Sequence, residues 1–343
     1  MKRLFLFVLP FLFLTPANAA SEPTNFAISK DKILLIGNLE KTGYFQIEGG
    51  TQIPLTGPSE SFVSAISVDP DGNFLVFGSG ATTSTSNNVQ SVAPINPDGV
   101  VVEPQTTSRT NATQIWRWKI APTGEVLEAK GVDVGSAVWI KSAFGNLLGG
   151  QIATESGSAG FYMKWDGTSN QINLIGKTNT EVNVIINDNY LAGSSTEKLL
   201  GKNLVAKRDG FLLKVNKPAL VRSSNINAER RWISGTTNYF LGGSAKVGKT
   251  TEAVVTKFTS AFAPTWTTRF PAVGGAHVVS VKKNFMAAYP IKGGKISIIT
   301  FDGKGKVLAK KSITGSKINA FGYSDEVGAV LMADSSLNRL TSR

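Results

Sequence analysis

Asn73-Phe-Leu-Val-Phe-Gly-Ser-Gly80 is the stretch on which the fold turns, because it recurs: NLLGGQIA from Asn146, NYLAGSST from Asn189, NYFLGGSA from Asn238 and NFMAAYPI from Asn284. Two weaker copies begin at Lys32 and Gly328. Successive copies lie about 41 to 49 residues apart, except for one interval of about 73. A unit of that length carries too little apolar surface to fold alone, so its copies must bury their faces against one another.

Each copy stands in the same local order. An alternating apolar strand precedes it, as in FVSAISV from Phe62, then a tight turn such as Asp69-Pro-Asp-Gly72. After the copy come a variable loop, a third strand and a fourth. Four short strands per unit, repeated seven times, predict an all-β chain: a seven-bladed β-propeller of four-stranded antiparallel blades. The seventh unit has INAFGYS, GAVLMAD and LNRLTSR but no evident fourth strand. The ring is therefore expected to be closed by the two termini, with the segment around Glu22 to Ile28 pairing with the last blade to remove its free edge.

The third strands share GFYMKW from Gly160 and GFLLKV from Gly210, with AVVTKF from Ala253 and WRWKI from Trp116 as looser copies. That pattern, followed by turns such as Asp166-Gly167 or Pro122-Thr-Gly124, resembles the β-propeller repeats of many secreted bacterial proteins. The likeness extends over nearly all of the chain after its first residues. It implies a radial fold and an extracellular setting, but no common activity. Neither the G-H and W-D signature of WD40 blades nor the paired glycines and aromatics of kelch is present. The in-register Lys119, Lys164, Lys214 and Lys257 read as cations that keep an outer strand wet, and the recurrent Gly37, Gly78, Gly149, Gly193 and Gly242 as close backbone packing near the axis.

Residues 1–19 read as a signal peptide. Lys2 and Arg3 precede the apolar run Leu4 to Leu14, which is about half the length of a membrane-spanning helix, and Ala17 and Ala19 fit the cleavage rule. The remainder, 20–343, is one propeller domain, with the Ser/Thr/Asn/Pro-rich stretch 81–113 inserted in blade two and accounting for the long interval. An exported, non-spanning, monomeric chain follows. It has no cysteine and a formal charge of +12, lowered by two when Lys2 and Arg3 leave with the leader. Outside the cell such a charge points to an anionic cell-envelope polymer or a protein partner, and not to nucleic acid.

Motifs for chemistry are few. Gly243-Ser-Ala-Lys-Val-Gly248-Lys249-Thr250 satisfies the P-loop pattern, yet a P-loop needs a helix behind it, and here a third strand follows. His277 is the single histidine, so neither a multi-histidine metal site nor a triad of familiar type can be built around it. Asp71, Asp98 and Asp302 precede glycines as β-turns demand, Asp69 opens the same DPDG turn as Asp71, and none has the ligand run of a calcium loop. No cofactor is implied. Trp139 and Trp232, on first strands, are candidates for stacking a ligand at the central channel.

Loop length is the stronger guide. Links between first and second strands are short, whereas those between second and third strands vary, and all the latter leave a propeller on one face. Lys198, Lys202, Lys207, Arg208, Lys246, Lys249 and Lys292 lie in or beside them. They define an expected basic recognition face for an acidic partner. A polysaccharide-active hydrolase or lyase working at the channel mouth, and a purely structural surface protein, are the other two functions compatible with the sequence.

Overall fold

The computed structural model describes residues 21–81, 112–168, 172–201, 203, 206–215, 220–222 and 229–340; the leader, Asp98, Lys202 and nearly all of the insertion 81–113 lie outside these residues. Every described element is a strand, and they assemble into seven antiparallel sheets in chain order, six of four strands and a last of three. This is the expected seven-bladed propeller. All seven recurring blocks form second strands, from Lys32–Leu39 in blade one to Gly328–Ala333 in blade seven.

Alternation decides the core. Side chains leave a strand to opposite faces, so a blade buried on both sides must be apolar on both. Phe74–Ala81 is accordingly buried at every position. Among the described residues there is no single central core. These residues form seven apolar clusters, one at each junction between neighbouring blades. The largest side chains sit there: Trp118 in the junction of blades one and two, Trp232 in that of four and five, and Phe240 with Phe301 in that of five and six.

The ring closes where the termini meet, but not by an exchanged strand. Pro23–Ser29 pairs with Lys32–Leu39 as the innermost strand of blade one, and among the described residues blade seven has three strands, the last being Ser336–Leu340. The expected pairing of Glu22 to Ile28 with the last blade is thus corrected. Phe26, Ile33 and Leu35 pack instead on Ala320, Val330 and Met332. Polar contacts flank that seam: the Asn319 amide donates to the Pro23 carbonyl at 3.4 Å, the Ser324 hydroxyl to the Lys30 carbonyl at 3.0 Å, and Arg339 meets Glu48 at 2.6 Å. The tight Lys30-Asp31 turn leaves this strand next to its own second strand in sequence, so it forms a local hairpin as the innermost strand of blade one.

One irregularity repeats and positions the channel. In six of the seven innermost strands the register slips by one residue, leaving Thr24, Ser64, Lys141, Asn183, Ile233 and Asn319 as unpaired bulge residues, and blade four slips once more at Ile186. A bulge bends its strand and re-aims its side chain. It also drives the preceding backbone onto the second strand. A Cβ at Gly150 would lie 1.9 Å from the Trp139 carbonyl oxygen, and one at Gly193 1.9 Å from that of Glu181. Only glycine fits there, and Gly78 and Gly243 meet the corresponding carbonyl oxygens at 2.6 and 2.0 Å, whereas Gly37 and Gly149 are confined by side chains and Gly242 by the next blade.

Candidate functional site

The innermost strands enclose a channel cavity of about 380 Å³ lined by residues of six blades, among them Asn25, Lys141, Asn183, Ser234, His277 and Asn319. Its wall is stitched by hydrogen bonds from one blade to the next. The Asn25 amide donates to the Ser64 carbonyl at 3.2 Å, the Ser64 hydroxyl to the Ile140 carbonyl at 2.7 Å, and the Asn183 amide to the Trp232 carbonyl at 3.0 Å. These bulge-region side chains are therefore chiefly structural.

The exception is charged. Two residues before the bulge of blade four stands Glu181, only 3% exposed, at the channel end from which the variable loops leave. Three cations from three blades converge on it. Lys141, the bulge residue of blade three, lies 2.5 Å from Oε2. Arg231 of blade five grips both oxygens, with Nε 2.7 Å from Oε1 and Nη2 2.7 Å from Oε2. Arg208, from the loop of blade four, is 3.3 Å from Oε1, and the Ser194 hydroxyl donates to the same oxygen at 2.6 Å.

Burial alone would raise the Glu181 carboxyl, but Lys141, the Ser194 hydroxyl and Arg231 outweigh it and bring it down to about 2. Lys141 moves down as well. Desolvation disfavours its charge, Glu181 opposes that, and Arg231 and Arg208 add repulsion. The two shifts agree physically: the carboxylate faces three cations, whereas the ammonium faces one anion and two cations.

The expected site residues divide. Arg208 joins the cluster. Lys198, Lys207, Lys246, Lys249 and Lys292 are exposed on the loop rim, apart from it, and none has an acidic partner among the described residues. Lys202 lies outside the described residues. The two tryptophans part company. Trp139 is 40% exposed beside a small cleft of about 190 Å³ between blades two and three. Trp232 is corrected: it is fully buried, edge-on to Phe258, with the Arg230 guanidinium 5.5 Å above its ring, so no ligand can stack on it.

Three other readings resolve. In the P-loop look-alike, Gly243 to Val247 is strand, Gly248 and Lys249 form the two-residue turn, and Val247 pairs with Thr250 as the next strand begins. No helix N-terminus faces Lys249. The Asp69 and Asp302 carboxylates cap turns, accepting from the backbone N–H of Asn73 at 2.8 Å and of Lys304 and Lys306 at 2.9 Å. His277 lines the channel, where desolvation brings its pKa down to about 4, so it is neutral at pH 7. The channel lining contains no carboxyl group beside it among the described residues.

Of the outer-strand lysines, Lys119 pairs with Asp69 at 2.9 Å, while Lys214 and Lys257 lie over the rings of Tyr190 and Phe285. They form no ring of free cations.

Sequence reasoning did not single out Glu181, Lys141 or Arg231. In blades three, four and five the signal that marks them is the second-strand glycine, Gly150, Gly193 or Gly243, which pairs with the residue before the bulge.

The class that these blades define is the seven-bladed β-propeller, and solved structures agree. The chain is similar to hydrazine synthase of Kuenenia stuttgartiensis, at 8% identity and a TM-score of 0.54 over 94% of this chain and 96% of that one. It is also similar to an uncharacterised protein of Listeria monocytogenes EGD-e, at 12% identity and a TM-score of 0.50 over 93% and 94% of the two chains. At these identities the likeness is one of fold. No family model matches the chain, and no curated protein matches it.

Proposed function

We propose that this chain is an exported binding module whose loop rim recognises an acidic polymer of the cell envelope. The observation that carries this reading is the set of exposed lysines, Lys198, Lys207, Lys246, Lys249 and Lys292, all without acidic partners among the described residues. Antiparallel alternation brings every connection between second and third strands, and between one blade and the next, to that single rim. Acids are present there too, Glu40 and Glu155 in turns and Glu229 opposite Lys246 across its strand pair, but two others are engaged. Glu197 accepts from the backbone N–H groups of Lys177, Thr178 and Asn179 at 2.9–3.2 Å, and Asp334 from those of Ser316 and Lys317 at 2.8 and 2.9 Å. The five lysines are solvent-exposed charges that a flexible polyanion can meet.

No single contact of this kind is strong. Exposed ion pairs contribute about 0–1 kcal/mol each, so affinity comes from many at once and weakens with salt. Binding of the purified chain to an anionic envelope polysaccharide is expected to fall steeply between low and high ionic strength, and to fall about tenfold in Lys246→Glu with Lys249→Glu. Binding that ignores both salt and charge reversal sinks the proposal. Salt-sensitive capture of an acidic surface protein with no retention of polymer reassigns the partner.

A further inference from the structure

We propose that the channel mouth on the loop rim binds a doubly charged oxyanion of the phosphate type, held by the donors of Lys141, Arg208 and Arg231 that Glu181 leaves unused. The carboxylate is saturated: Oε1 accepts from Ser194, Arg208 and Arg231, and Oε2 from Lys141 and Arg231. A carboxylate offers about four lone-pair sites, whereas a lysine carries three N–H donors and an arginine five. Most of the cluster's donors therefore remain. The only other contact they make among the described residues is from Arg208 Nη1 to the Ser194 hydroxyl at 3.3 Å.

Charge gives the same answer. Three cations around one carboxylate leave an excess of two positive charges in a partly desolvated place. A dianion cancels that excess, and phosphate matches the fork of an arginine. The side chains can be reached, since those of Lys141, Arg208 and Arg231 are 26%, 27% and 46% exposed, and Lys141 also lines the channel cavity. They are already ordered, Lys141 by its bulge and Arg231 by its two-point grip on Glu181. An incoming anion thus meets prepaid geometry and loses little entropy to side-chain ordering. This site is separate from the rim lysines and stands whether or not these bind a polymer.

Calorimetry on the full chain at matched ionic strength tests it. Inorganic phosphate and sulfate are expected to bind saturably and to raise the melting temperature, and acetate to do neither. Glycerol 1-phosphate separates the sources: binding tighter than that of inorganic phosphate assigns an esterified group as the ligand, and binding of inorganic phosphate alone assigns the free ion. Arg208→Gln removes the weakest of the ion pairs to Glu181 and is expected to lower phosphate affinity about tenfold, the loss of one charge-assisted hydrogen bond. Lys246→Glu with Lys249→Glu is expected to leave phosphate affinity unchanged, which distinguishes this site from the polymer-binding rim. Should Arg208→Gln fail to fold, the wild-type chain still decides: phosphate must protect Arg208 and Arg231 from phenylglyoxal. No saturable phosphate binding, an unaltered affinity in folded Arg208→Gln, or no protection overturns the site.

Discussion

Glu181 in blade four and Glu22 in blade one hold the same place, two residues ahead of the bulge in an innermost strand, and have opposite surroundings. Glu181 is buried among three cations. Glu22 is exposed, and the Ser335 hydroxyl donates to it at 3.0 Å. Their neighbours explain the difference. The bulge residue of the preceding blade is Lys141 beside Glu181 but Asn319 beside Glu22, and the equivalent position in the following blade is Arg231 in one case and Phe62 in the other. The same offset from a bulge thus yields a buried charged cluster on one arc of the channel and, on the other, an exposed carboxylate without a cation among the described residues. Repetition builds the frame, and single side chains at two positions per blade give each arc its chemistry.

The comparison depends on the register, so the largest predicted effect tests the register itself. Trp232 lies one residue before its bulge, in the place of Ile140, whereas Trp139 lies two before, in the place of Arg231. A one-residue difference sends a side chain to the opposite face. Trp232→Ala is expected to cost about 3–5 kcal/mol in urea unfolding, the cost of emptying a buried indole site, and Trp139→Ala no more than about 0.5. Equal costs break the register on which the two glutamates are matched.

Next comes the pair itself. Glu181→Gln strands three cations and is expected to cost about 3 kcal/mol, at the low end for a buried pair because Arg231 is half-exposed; Glu22→Gln is expected to cost under about 0.5. The sign with pH follows from the depressed folded-state pKa. Glu181 stabilises the fold fully above its ordinary value near 4.5, and that stabilisation is lost as pH falls toward about 2. Stability curves of wild type and Glu181→Gln measured over that window should therefore converge on acidification. Parallel curves would show that the cluster contributes nothing specific.

The smallest effect sharpens the comparison by transplanting it. Asn319→Lys with Phe62→Arg places the two cations of the blade-four arrangement around Glu22. Because Glu22 stays partly solvated, the gain is expected to be at most about 1 kcal/mol. It should appear as a nonadditive coupling between either cation and Glu22 in a double-mutant cycle, and additive costs would mean that the geometry does not transfer.

Much of the fold is legible in the chain because its signal is local and repeated. The block beginning at Asn73 specifies a strand by composition, and its recurrence specifies seven of them. The failed P-loop reading at Lys249 was legible for the same reason, since AVVTKF behind it matches a known third strand. The candidate site was only half legible. The rim lysines could be placed because loops declare their face by topology. Trp232 could not be told from Trp139, because strand membership was evident and register was not. The closure of the ring was misread at Glu22 to Ile28 because a missing fourth strand in blade seven suggested a free edge needing a partner, whereas the seam is held by the packing of Phe26 and its neighbours on Met332 and Val330.

By itself the sequence determined the all-β character, the seven units and the positively charged balance, since period, alternation and charge are properties of residues taken in order. Only the tertiary structure decided that Lys141, Glu181, Arg208 and Arg231, spread over 91 positions of chain, meet at one channel mouth. Their meeting requires three blades to be set side by side and three bulges to slip in step, and no local pattern carries that information.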